Sequence, residues 1–315
     1  MRLTSLDRHA SLAMTELRLA AAMSQGTGMW FGLTSVEIRK SAWIGLFLAL
    51  QGMALQLLKS QLFLHQRPPA VQFIITVFIL YVLTGFLFAA VYFILRDHIP
   101  GRTRAWKGFN YSLLVFGSVA FGGLIGTIGL DLNGGFDLLT AAKIDDYAIA
   151  LTDFVNFSLA GVVLGLIAEP KLVRPFRPAL DAKRLWQLSA AGFVLFPTAT
   201  ALLFKGLSCV IPMGIEIPAG AEGWFYVGTF VPLAISGASI PLFYGIVRGR
   251  FPGGAARKAA AFSLLFILGF QTIALIFGLP FGLAAATVVD MLIATAIPIF
   301  LLAQVSAHAL EEGRG

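Results

Sequence analysis

The chain has 315 residues, 58% hydrophobic and only 12% charged, with a formal net charge of +7 and a mean hydropathy of +0.84. Soluble domains carry about 25% charged residues, so this composition excludes that class and predicts an all-α integral membrane protein. The single Cys209 excludes an internal disulfide framework, and His9, His65, His98 and His308 all fall outside the apolar runs, so no cofactor and no metal centre are expected in a helix bundle.

Residues 1–40 open on Met-Arg-Leu-Thr-Ser-Leu-Asp-Arg-His, which lacks the apolar core of a secretory signal. Leu3, Leu6, Ala10, Met14, Leu17 and Ala21 recur at three- and four-residue steps, the pattern of an amphipathic helix lying on the membrane or on a partner. A partly ordered cytosolic tail is the other reading of this segment. Thr34-Ser35-Val36-Glu37 then forms a capping-box pattern, which predicts a helix running through Ile38, Arg39 and Lys40 into the bilayer.

Eight apolar runs follow, at about 42–58, 71–95, 110–130, 148–168, 186–205, 226–247, 260–280 and 283–304. Each is near the ~20 residues needed to cross about 30 Å of hydrocarbon. Helices are the expected form, because they satisfy their own backbone hydrogen bonds in lipid. With the N-terminus in the cytoplasm, 19 of the 23 Lys and Arg residues fall on the cytoplasmic side, leaving Lys59, Arg67, Lys143 and Lys205 outside. That asymmetry predicts eight transmembrane helices, N-in and C-in, in the cytoplasmic (inner) membrane of a prokaryote.

The second run ends in Val91-Tyr92-Phe93-Ile94-Leu95-Arg96-Asp97-His98-Ile99-Pro100-Gly101, and the sixth in Phe243-Tyr244-Gly245-Ile246-Val247-Arg248-Gly249-Arg250-Phe251-Pro252-Gly253, an offset of 152. Lys107 meets Lys258 at 151, Lys59 meets Lys205 at 146, and Asp153 meets Asp290 at 137. These scarce residue types fall in the same order. They predict two parallel four-helix repeats, 41–170 and 171–305, related by a pseudo-two-fold axis along the membrane normal and followed by a cytosolic tail at 306–315. The drop in offset places an insertion at about 131–147. This acidic stretch reads as a solvated loop with an Asn-Gly turn, since it lacks the ligand spacing of a calcium loop.

Ser118, Gly122 and Gly126, Gly161 and Gly165, and Ala234 and Ala238 are spaced for close helix packing. The prolines Pro197, Pro232, Pro241 and Pro298 all lie in the second repeat and predict kinks there.

Asp153 and Asp290 are the candidate chemical residues, because a carboxylate near the bilayer centre costs on the order of 2.5–3.5 kcal/mol and is usually paired, solvated or functional. One reading joins them into a cation or proton site, with Asn156 adding an oxygen ligand. The other pairs each with a lysine of its own repeat, Lys59 with Asp153 and Lys205 with Asp290. No H-E-x-x-H, G-x-S-x-G, Walker A or dinucleotide-binding pattern is present, and no catalytic set converges, so an enzyme is not expected. The expected partners are the lipid bilayer and a protein at the cytosolic face, with no nucleic acid. The function read from the sequence is a permease or channel-like transporter for a small solute or cation, its path between the repeats. The alternative is a non-catalytic scaffold or anchor subunit of a larger complex.

Overall fold

The computed structural model describes residues 33–62, 71–120, 141–169, 181–208, 222–272, 276 and 285–311, and these form eight α-helices and no strand. They are α1 (Ser35–Leu62), α2 (Val71–Leu95), α3 (Arg104–Val115), α4 (Ala141–Ala168), α5 (Ala182–Ser208), α6 (Glu222–Val247), α7 (Ala255–Phe266) and α8 (Ala285–Glu311). The amphipathic pattern within 1–32 and the acidic stretch 131–140 lie outside the described residues.

Three helical segments, Ile74–His98, Ala182–Leu207 and Val288–Glu311, are each long and apolar enough to cross a membrane. A fourth is added if α6 and α7 form one broken span, their axes turning through 113°. Lipid-facing character shows in the large apolar side chains left outward on these helices, among them Leu195, Leu202, Leu301 and Val305. The expected prolines lie inside helices that run on uninterrupted, Pro197 in α5, Pro232 and Pro241 in α6 and Pro298 in α8.

Local chemistry explains where the helices start. The Thr34 N–H donates to Glu37 Oε2 at 2.8 Å while the Glu37 N–H donates to Thr34 Oγ1 at 3.2 Å, so the capping box forms as the sequence predicts. Thr103 caps α3 by accepting from the Trp106 N–H at 3.2 Å, and Asp181 caps α5 by accepting from the Arg184 N–H at 3.2 Å.

In the first four helices, α1 packs on α2 and α4, and α3 on α4; in the second four, α5 packs on α6 and α8, and α7 on α8. Small residues make these crossings possible. Gly45 lies against Gly85 where α1 meets α2, and Gly192 against Gly237 where α5 meets α6. Gly108 meets Gly161 and Gly165 between α3 and α4, whereas Ala259, Ala303 and Ala307 on α7 and α8 are fully buried. Without a hydrophobic drive between helices in lipid, such close approach supplies much of the packing energy.

Contacts between the two groups of four come from two kinds of element. After α3 the backbone widens into a π-helical turn, Phe116–Ala120, which packs on α6; after α7 a second π-helical turn, Ile267–Gln271, packs on α2. At the ends of α2 and α6, the 3₁₀ turns Arg96–His98 and Arg248–Arg250 meet each other. A Cβ on Gly249 would lie 3.2 Å from the His98 ring, and Arg250 Nε donates to the Ile94 carbonyl at 2.7 Å. The Tyr-x3-Arg-x3-Pro-Gly stretches thus lie on the seam between the groups.

The starts of α1, α3, α5 and α7 and the ends of α2, α4, α6 and α8 gather at one end of the molecule, tied by polar contacts. Lys40 Nζ donates to the Ile167 carbonyl at 2.9 Å, Arg184 Nη1 to that of Ala309 at 3.0 Å and Arg248 Nη1 to that of Leu310 at 2.8 Å. Helix ends leave their last carbonyls without intrahelical partners, and a cation there also complements the helix dipole. The basic residues that mark sidedness in the sequence therefore have a second use, as caps for α4 and α8.

Candidate functional site

The polar groups held inside this apolar scaffold fall into two layers. At the end where the caps gather, Glu169 accepts from two donors, Tyr92 Oη on Oε1 at 2.8 Å and Lys107 Nζ on Oε2 at 2.9 Å. The Lys107 and Glu169 side chains are only 5% and 4% exposed, so this is a buried ion pair with both carboxylate oxygens engaged. Tyr92 stacks edge-on against Tyr111, whose hydroxyl donates to the Phe88 carbonyl at 2.7 Å. The second group of helices carries Lys258 Nζ on Glu311 Oε1 at 2.7 Å, with side chains 20% and 27% exposed. There the Tyr244 hydroxyl is buried and has no hydrogen-bond partner among the described residues.

Sequence reasoning misses Glu169 and Glu311. Each is the first carboxylate after the last apolar run of its group, in the same order behind Tyr-x3-Arg and a lysine, and that pattern was the available signal.

The second layer lies deeper along the helices. Asp290, in the second turn of α8, is wholly buried, and neither carboxylate oxygen has a hydrogen-bond partner among the described residues. No ion pair joins it to Lys205, whose side chain is exposed near the end of α5. Asn156 on α4 is also wholly buried, with its amide oxygen and nitrogen unpartnered among the described residues. It sits against Gly52 of α1, where a Cβ would come within 2.9 Å of Asn156 Nδ2 and 3.3 Å of Tyr81 Cζ. Gln51, beside Gly52, likewise has both side-chain polar atoms buried and unpartnered there. Lys59 lies on α1 and Asp153 on α4, but their side chains lie outside the described residues.

The geometry changes how the two aspartates relate. Asp153 precedes Glu169 by 16 residues, whereas Asp290 precedes Glu311 by 21. If the two glutamates mark equivalent places, the fourth-helix offset is 142 rather than the expected 137, and Asp153 corresponds to Thr295. The small-residue contacts agree, since Gly161 and Gly165 then answer Ala303 and Ala307. Five residues separate the aspartates along the helix axis, about 7.5 Å at 1.5 Å per residue, with a rotation of about 140°. The Gly45–Gly85 and Gly192–Gly237 crossings likewise set the first-helix offset at 147, which moves Lys59 opposite Gly206 rather than Lys205.

Among the described residues no three His, Cys, Asp or Glu side chains come together as a metal cluster would require. An open cleft of about 400 Å³ lies between the start of α5 and the end of α8, lined by Arg184, Gln187, Leu188 and Ala309. It is 19 residues along α8 from Asp290, roughly 28 Å. No family model, curated protein or solved structure matches this chain.

Proposed function

We propose that this chain is a polytopic membrane transporter, built from two four-helix units of the same orientation, that moves a small solute or cation along the interface between them. The proposed arrangement has eight spans with both termini in the cytoplasm, in the inner membrane of a prokaryote, and it does no catalysis. The observation that carries this reading is Asp290, a carboxylate with no exposure and, among the described residues, no hydrogen-bond donor, inside a helix apolar enough to span a bilayer. Intramembrane carboxylates are costly, so one with no partner among the described residues is best explained as a place where a cation or proton binds in transit. Asn156 and Gln51 add buried, unpartnered amides in the other unit, groups suited to a solute that both donates and accepts hydrogen bonds.

Two units are supported by paired features that chance matching of apolar helices does not produce. Both have a glycine crossing of first and second helices, a 3₁₀ turn after the second, a π-helical turn after the third and a lysine–glutamate pair joining third to fourth. Parallel repeats of this kind place a shared path on the axis between them.

The test is flux through the purified full chain in liposomes loaded with pH- and cation-sensitive dyes, with light-scattering swelling for neutral solutes. Wild-type protein should conduct at least one of these, and Asp290→Asn should abolish that flux with helical content and melting temperature retained. Unchanged flux in Asp290→Asn would remove Asp290 from the mechanism. Absence of wild-type flux across the panel, with a protein partner co-purifying, would replace transport by the anchoring role.

A further inference from the structure

We propose that the tyrosine–glutamate–lysine cluster of each unit is a latch with two settings, and that the first unit is latched and the second unlatched in this structure. The inference rests on the two-unit reading and adds regulation of the path between the units.

The two clusters use the same residue types at matching places. Tyr92 stands four residues before Arg96 and Tyr244 four before Arg248, while Lys107 and Lys258 lie in the first turn of α3 and α7, and Glu169 and Glu311 end their groups. In the first unit both Glu169 oxygens are taken, one by Tyr92 at 2.8 Å and one by Lys107 at 2.9 Å, and the pair is sealed from solvent. In the second unit the lysine contact persists at 2.7 Å, but the pair is partly open. Glu311 Oε2 makes no hydrogen bond among the described residues, and the Tyr244 hydroxyl, fully buried, has none among them either.

A buried hydroxyl without a partner is unfavourable, and Glu311, paired with Lys258, is the acceptor at the matching place in this unit. Glu311 is near enough to Tyr244 to act on it electrostatically. Rotation of the Glu311 side chain toward Tyr244 would reproduce in the second unit the arrangement that Glu169 already has in the first. Arg248 holds the neighbouring backbone, donating to the Leu310 carbonyl at 2.8 Å, whereas its counterpart Arg96 turns away to Glu37 at 3.2 Å. Latching adds a tyrosine–glutamate tie from the second helix to the end of the fourth; in the second unit that end is held instead by Arg248 on the Leu310 carbonyl and by Lys258.

The experiment uses the purified full chain, with amine labelling of Lys107 and Lys258 by an acetylating reagent read by mass spectrometry, alongside thermal melts. In wild type, Lys258 should label faster than Lys107. Tyr92→Phe should lower the melting temperature by about 2–4 °C and speed Lys107 labelling by roughly tenfold, equivalent to about 1.4 kcal/mol. Tyr244→Phe should leave the melting temperature within about 1 °C and speed Lys258 labelling by less than about twofold, because only the minority latched setting is lost. The proposal is overturned if Tyr244→Phe melts as low as Tyr92→Phe, since Tyr244 would then already be engaged. It is equally overturned if Tyr244→Phe speeds Lys258 labelling as much as Tyr92→Phe speeds that of Lys107. The Tyr244→Phe arm decides the matter even if the Tyr92 variant does not fold. Flux measured on the same samples separates the two readings: the expected labelling without wild-type flux removes transport and keeps the latch, while flux with the labelling that overturns the latch does the reverse.

Discussion

Lys107 and Glu169 show at residue scale how burial decides the value of a charge. The same pair of residue types joins α7 to the end of α8, yet only the first is sealed. Removing one partner of a buried pair leaves an uncompensated charge, so Lys107→Met should cost about 3–5 kcal/mol. Lys258→Met, at a pair partly open to water, should cost about 1 kcal/mol or less. Melting curves of the two variants in detergent would check this, and equal losses would mean that the second pair is as buried as the first. The sequence made Asp290 visible because a carboxylate inside an apolar run is conspicuous. Glu169 stayed hidden because it follows Ala168 directly and precedes Pro170, where an acidic residue reads as the first of a loop. Only the fold reveals that this position turns inward, under Tyr92.

At the scale of elements, the helices are spaced by what their contacts lack. A Cβ at Gly108 would fall on the Gly161 carbonyl oxygen, so α3 and α4 could not keep their separation. Gly108→Ala should therefore destabilise the protein by about 1–3 kcal/mol, the range for overpacking. A Cβ at Gly206, in α5, would meet nothing within 4 Å among the described residues, and Gly206→Ala should be neutral or stabilising by up to about 1 kcal/mol. A melt in which both substitutions cost alike would refute this account of the crossings. Element ends were legible where a local signal existed: the capping box at Thr34, the second helix over Val71–Leu95 and the sixth ending at Val247. Register within the last helix of each unit was not legible. Apolar runs carry few marks, so Asp153 and Asp290 align on identity alone, whereas aligning Glu169 with Glu311 sets the buried packing residues Gly161 and Ala303 opposite each other.

For the whole molecule, the gathering of eight helix ends on one side makes sidedness measurable. In a Cys209→Ser background, cysteines replacing the exposed Arg102, Lys183 and Gly254 should react with an impermeant thiol reagent from one face of sealed vesicles. A cysteine replacing the exposed Gly206 should react only from the other. Labelling of Gly206 and Gly254 positions from the same face would exclude the alternating arrangement.

The π-helical turns have a further consequence. A π turn holds one residue more than an α turn, so each acts as a phase shift in the helix that carries it. Gly108 and Ser112 of α3 meet α4, and Gly117, inside the π turn, meets Ser239 of α6. Deleting one residue between Phe116 and Ala120 would restore α-helical geometry and remove the widened turn that packs on α6. Gly117 lies nine residues after Gly108, about 180° around an α-helix, so one helix serves both its own group of four and the opposite one.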